Sequence, residues 1–139
     1  MDFEFTDNSF KVCAELDRAI TAALHEAGGE FKAEVQRRTR VNKRGNGGDT
    51  RDSFDYRVVD NACYVGSDAE NAIWEEFGTG IHAEKGGRQD KWVYYDPITD
   101  RFYTTDGKKG TRALTKSMEA RADFAERVTR EKLGGLNHD

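Results

Sequence analysis

Glu75, Glu76, His82 and Glu84 lie close together in the chain, and a histidine among carboxylates is the raw material of a metal centre or an acid–base pair. A metal site asks for a second histidine or a cysteine at a short, fixed interval. His25, His82 and His138 stand far apart, so the group reads as charge around a turn. Cys63 is the nucleophile to weigh next. It sits in an apolar strand pattern, where a thiol is core, and no base is placed beside it. Gly45-Asn46-Gly47-Gly48 suggests a phosphate cradle, but it precedes a strand pattern and contains no Gly-Lys-Ser/Thr. The expectation is no catalytic residue, no metal and no cofactor.

The composition agrees with that direction. Of 139 residues, 36% are hydrophobic and 35% charged, against about 25% charged in an ordinary domain. A thin core under a large charged surface suits an assembly subunit better than a deep-pocket enzyme. No run approaches the roughly 18 apolar residues of a membrane span. The acidic start Met1-Asp2-Phe3-Glu4-Phe5 is unlike a signal peptide. A soluble intracellular chain is expected, with Cys13 and Cys63 as reduced core thiols; one disulfide between them is the alternative. The net charge of −4 is unevenly laid out. Residues 1–36 carry eight acids and three bases, while residues 37–51 carry six bases and one acid.

These residues need elements to position them. Phe10, Cys13, Leu16, Ile20, Leu24, Ala27, Phe31 and Val35 recur at steps of three or four, predicting one amphipathic helix over 9–39 despite Gly28-Gly29. A mobile loop is expected over 42–50. Phe54, Tyr56 and Val58 alternate with polar residues, Asp60-Asn61 turns, and Ala62–Val65 returns as a hairpin. Residues 69–77 read as a short helix that Gly78 stops in a left-handed conformation. A flexible loop over 81–90 leads to a second hairpin, residues 91–95 and 101–105, around a five-residue connection. A helix from about Thr111 or Thr115 to Gly134-Gly135 precedes a short tail, 134–139. The expected fold is one α+β domain, 1–139: a long N-terminal helix, an antiparallel sheet of about four strands from two hairpins, a short middle helix and a C-terminal helix. Trp74, Phe77, Trp92 and the Phe10–Val35 stripe should form its core.

Two segments look specific. Ala72-Ile73-Trp74-Glu75-Glu76-Phe77-Gly78-Thr79-Gly80 is an aromatic short helix ended by a glycine turn. In the second hairpin, Trp92, Tyr94, Phe102 and Thr104 fall on one parity and Val93, Tyr95, Arg101 and Tyr103 on the other, with the register across the turn left open. Both sides carry apolar bulk, so one calls for a partner or a terminal helix.

The order Gly48-Asp49-Thr50-Arg51-Asp52-Ser53-Phe54, a hairpin reaching Val65-Gly66, then Glu76-Phe77-Gly78-Thr79-Gly80, an aromatic hairpin and a last helix resembles the tail-completion, or head–tail joining, family of long-tailed double-stranded DNA phages. The resemblance covers roughly residues 5–132. It departs from the family pattern at Arg51-Asp52, where Gly and Leu usually follow Thr, and at Gly110–Leu114, which lacks the proline-rich lead into the last helix. It implies a structural virion protein of the neck, made in the bacterial cytoplasm and not an enzyme. Its partners would be its own copies in a ring, typically of six, the head connector or stopper protein, the tail tube or terminator protein, and DNA in the channel. Asp49, Thr50, Trp74, Glu76, Phe77, Gly78, Thr79 and Gly80 are the motif and core residues. Arg37, Arg38, Lys43, Arg44, Trp92, Tyr94, Tyr95 and Tyr103 are the assembly candidates. The alternatives are a nucleic-acid-binding accessory protein using segment 37–51 and a small metal-dependent hydrolase using His82.

Overall fold

The computed structural model describes residue 4, residues 6–41 and residues 48–135. The apolar period of 3.6 produces a first helix, α1, over Ser9–Arg38. The Ser9 N–H donates to Asp7 Oδ1 at 2.9 Å ahead of its first turn. Arg37 and Arg38 occupy its last turn, where positive charge suits the helix dipole. Lys43, Arg44 and most of the expected loop lie outside the described residues. Asp49 and Thr50, expected in that loop, instead begin a single helical turn, α2 (Asp49–Asp52). The Asp52 and Ser53 N–H groups close on the carbonyls of Gly48 and Asp49, at 2.8 and 3.0 Å. Gly48 therefore opens a helical turn rather than a strand.

Strands β1 (Asp55–Val59) and β2 (Ala62–Gly66) form the first hairpin. Asp60 and Asn61 both take positive φ, 50° and 61°, the geometry of the two-residue turn that matches strand twist. The register pairs Tyr56 with Val65 and Val58 with Cys63, which puts these four side chains on one face, seated on α1. Gly28 permits this approach: a Cβ there would lie 2.8 Å from Cys63 Sγ. A glycine that reads as a weak point of the helix is thus the seat of the hairpin.

Helix α3 (Glu70–Phe77) and a short 3₁₀ turn (Gly80–His82) lead to β3 (Trp92–Asp96), β4 (Arg101–Thr105) and helix α4 (Ala113–Gly134). α4 packs along α1, the most extensive contact between elements. Arg121 on α4 reaches Glu30 and Glu34, and Lys132 reaches Glu26, so the two helices run antiparallel. Ala23, Ala27, Phe31 and Val35 on α1 meet a core completed by Phe54, Ala113 and Val128. No helix among the described residues is long and apolar enough to cross a membrane.

The α+β class and the order of elements stand, with two corrections. The hairpins form separate two-stranded sheets, not one sheet of four. The segments flanking β3–β4 bond to each other, Thr79 N–H to Lys108 O at 2.8 Å and Ile81 N–H to Asp106 O at 3.0 Å, so this hairpin leaves from the α3–α4 junction. The expected core also shrinks. α4, at 22 residues, is shorter than the 30-residue α1 and ends near Glu26. The stripe beyond it is uncovered: Phe10 is 88% exposed, and Cys13 and Leu16 are exposed as well. Cys13 is therefore not a core thiol. Cys63 lies against Gly28, about 22 Å along the helix from Cys13, far beyond disulfide reach.

Candidate functional site

The block that carries the resemblance, Trp74 to Gly80, has its polarity reversed against expectation. Trp74 is 50% exposed and Ile73 more so, Phe77 is half-buried, and Glu75 and Glu76 are the buried residues of α3. Carboxylates tolerate burial only where donors surround them, and donors converge here from three other segments. Glu75 accepts hydrogen bonds from the Arg40 backbone N–H at 3.2 Å and the Arg40 Nε at 3.0 Å. It also accepts from Lys108 Nζ at 3.3 Å and the Thr111 hydroxyl at 3.1 Å. Burial pushes its carboxyl up, but the Arg40 hydrogen bonds and the Lys108 charge outweigh that and hold it below the usual glutamate range.

Glu76 does the work of a missing cap. Arg112 precedes α4 in the left-handed region and provides no side-chain cap. The Glu76 carboxylate instead accepts from the Leu114 and Thr115 N–H groups, at 2.8 and 3.0 Å, and from the Thr115 hydroxyl. Negative charge at the helix N-terminus also complements its dipole. Arg112 turns outward to pair with Glu84, whose carboxyl that hydrogen bond holds low, and its guanidinium lies 4.8 Å over the Phe77 ring.

The glycines make the junction close. Gly78 stops α3 at φ 83°, ψ 178°, a positive-φ extended conformation rather than the expected left-handed helical one, and one that is essentially glycine-only. Gly80, at φ 62°, packs backbone to backbone against Asp106 and Gly107, and a Cβ there would overlap the Asp106 carbonyl. Thr79 Oγ1 accepts from the Lys108 N–H at 3.0 Å. The end of α1, the ends of α3 and α4, and both feet of β3–β4 are thereby tied together. The 81–90 loop is held at its start, where the Glu84 N–H donates to the Phe77 carbonyl at 3.1 Å.

A second ionic cluster joins α1 to α4. Glu34, buried, accepts from Arg37, from Arg38 Nε at 2.8 Å and from Arg121 Nη2 at 3.0 Å. The Arg37 hydrogen bond chiefly, against burial and with help from Arg38 and Arg121, lowers its carboxyl to about 2. The basic segment is therefore largely answered within the chain: Arg37 and Arg38 by Glu34, Arg40 by Glu75 and Arg51 by Asp52. Arg37 and Arg38 remain partly exposed at the α1–α4 seam. The Glu34–Arg37–Arg38 spacing was readable from helix geometry; the parts played by Arg40, Arg112 and Arg121 were not.

The second hairpin regroups its aromatics. Tyr94 pairs with Tyr103 and Tyr95 with Phe102, because the connection between paired residues is four residues long, not five. One face therefore carries Trp92, Tyr94, Tyr103 and Thr105, and the other Val93, Tyr95, Phe102 and Thr104. The Tyr94 and Tyr103 rings stack at 5.8 Å and the Tyr95 and Phe102 rings meet at 5.3 Å, one aromatic pair on each face. Such cross-strand pairs stiffen a hairpin. Trp92, expected in the core, is only half-buried, with Arg88 5.6 Å above its ring. Neither β3 nor β4 packs broadly on any other element. Val93, Tyr95 and Phe102 are all exposed, Phe102 at 73%.

The catalytic alternative gains no geometry. Glu75, Glu76 and Glu84 are all occupied by donors, and the His82 Nε2 lies 3.9 Å from Asp106. Among the described residues no cluster of three or more His, Cys, Asp or Glu side chains could hold a metal. What the arrangement offers is a rigid junction presenting an apolar hairpin. Comparison of the chain with protein-family models, curated proteins and solved structures found no match in any of the three.

Proposed function

We propose that this protein is a tail-completion, or head–tail joining, subunit of a long-tailed bacteriophage. It is a non-enzymatic virion part, made in the host cytoplasm, that assembles as a ring between the head connector or stopper and the tail tube or terminator. Six copies is the number the family resemblance suggests. The observation that carries the reading is the β3–β4 hairpin, apolar on both faces, with Val93, Tyr95 and Phe102 of one face all exposed. A two-stranded hairpin alone is marginal in water, and an apolar surface rimmed by charge marks a protein interaction site. The resembling Glu76–Gly80 block is the clamp that holds this hairpin at a fixed angle to α1 and α4.

A nucleic-acid reading of segment 37–51 is less favoured, because Arg37, Arg38, Arg40 and Arg51 already have acidic partners in the chain. The decisive experiment deletes the gene in the phage. Filled heads and finished tails should accumulate unjoined, and added purified protein should restore infectivity. Normal infectious particles made without the protein would rule the joining role out.

A further inference from the structure

Among the described residues, two exposed apolar surfaces besides Ile73 and Trp74 on α3 are the same two kinds of part that the chain already packs together elsewhere. The second half of α1 carries the β1–β2 hairpin, with Tyr56 and Cys63 seated over Gly28. The first turns of α1 continue the same stripe through Phe10, Cys13 and Leu16, which are exposed among the described residues. The β3–β4 hairpin, conversely, offers Val93, Tyr95 and Phe102 exposed, with no described helix packed broadly on it. We infer that the Phe10 end of α1 in one copy seats on the Val93–Tyr95–Phe102 face of β3–β4 in the next copy, head to tail. This rests on the reading of the protein as a self-assembling subunit and names the surfaces that join.

Length and charge both fit this occupant. Residues 9–18 of α1 span about 15 Å, and five-residue strands span about 17 Å. Residues 1–18 carry five acids against two bases, while residues 85–91, at the foot of the hairpin, carry three bases, Lys85, Arg88 and Lys91, against one acid. Opposite charge at the rim sets the register of such a contact. A second copy is the natural occupant because each chain brings one of each surface. A contact between unlike surfaces propagates and closes into a ring when the rotation per subunit allows.

The test uses native mass spectrometry and sedimentation velocity on the whole chain from micromolar to millimolar concentration. Phe10→Asp and Phe102→Asp alter side chains that are 88% and 73% exposed. Phe102→Asp also gives up the ring pair with Tyr95, so Val93→Asp, on the same face, 61% exposed and in neither ring pair, repeats the test with a variant that should melt with the parent. Each alone should lose assembly by at least tenfold in apparent Kd. Phe10→Asp mixed one to one with either hairpin variant should form a heterodimer of near parental affinity and stop there, because each keeps one competent surface. If the parent assembles and either variant assembles equally well, or the mixture restores nothing, the inference fails and the joining role is untouched. A parent that stays monomeric up to millimolar concentration, with phage deletion still giving unjoined heads and tails, would overturn this contact alone. Monomer together with normal particles would sink both.

Discussion

Alanine at Gly28 and at Gly29 should act in opposite directions, although the two residues adjoin in one helix. Replacing a helical glycine by alanine gains about 1 kcal/mol at either site. At Gly29 nothing lies within 4 Å of the added methyl, so the gain should appear in full. At Gly28 the methyl would stand 2.7 Å from Tyr56 Cγ and 2.8 Å from Cys63 Sγ, where ordinary contact is about 3.5–4.0 Å. Tyr56 cannot simply swing away, since His25 Nδ1 meets its hydroxyl at 3.1 Å and β2 backs the strand. Overpacking of this kind costs about 1–3 kcal/mol. The helix-propensity gain is common to both variants, so the gap between them isolates the packing cost. At roughly 3–5 °C per kcal/mol for a domain of this size, Gly29→Ala should melt about 3–15 °C above Gly28→Ala. Thermal melts followed at 222 nm measure the gap. The rate of Cys63 alkylation, with Cys13 replaced by Ser, should rise in Gly28→Ala as the hairpin lifts. Equal stabilisation by both alanines, with no change in thiol reactivity, would show that the hairpin does not rest on Gly28.

Other outcomes follow from the junction and the seam. Glu76→Ala leaves the Leu114 and Thr115 N–H groups without their acceptor and should cost about 2–4 kcal/mol by urea titration; Glu70→Ala, exposed on the same helix, should fall within about 0.5 kcal/mol of the parent. Phe77→Ala, expected from a fully buried ring to cost about 3–5 kcal/mol, should cost about 2 kcal/mol for a half-buried ring beneath Arg112; a loss above 4 kcal/mol would mean the ring is buried after all. Glu34, held at about 2 against an ordinary 4.5, stabilises fully above pH 4.5 and loses that contribution as pH falls through 2. Glu34→Gln should therefore flatten the acid side of a urea-midpoint profile, and an unchanged slope would count against the cluster.

Short-range pattern was enough to place the elements other than the α2 turn and the short 3₁₀ turn. The 3.6-residue period and the two-residue alternation are properties of neighbouring side chains, so α1, both hairpins, α3 and α4 were legible nearly to the residue. Even the Asp60-Asn61 turn follows from residues that accept positive φ. Burial was not legible, because the stripe that buries Val35 is continuous with the one that exposes Phe10, and only the length of α4 separates them. Nor could local pattern reveal that Glu75 and Glu76 turn inward while Trp74 turns out. Their donors, Arg40, Lys108, Thr111, Leu114 and Thr115, come from segments at least 33 residues away in the chain. A carboxylate's burial depends on who surrounds it, and that is decided only when α1, α3 and α4 meet. The aromatic hairpin divides the same way: its strands are local, but its register hung on one residue of turn length. A shift of one residue exchanges the faces of a strand, so tertiary structure alone decided which aromatics stand together.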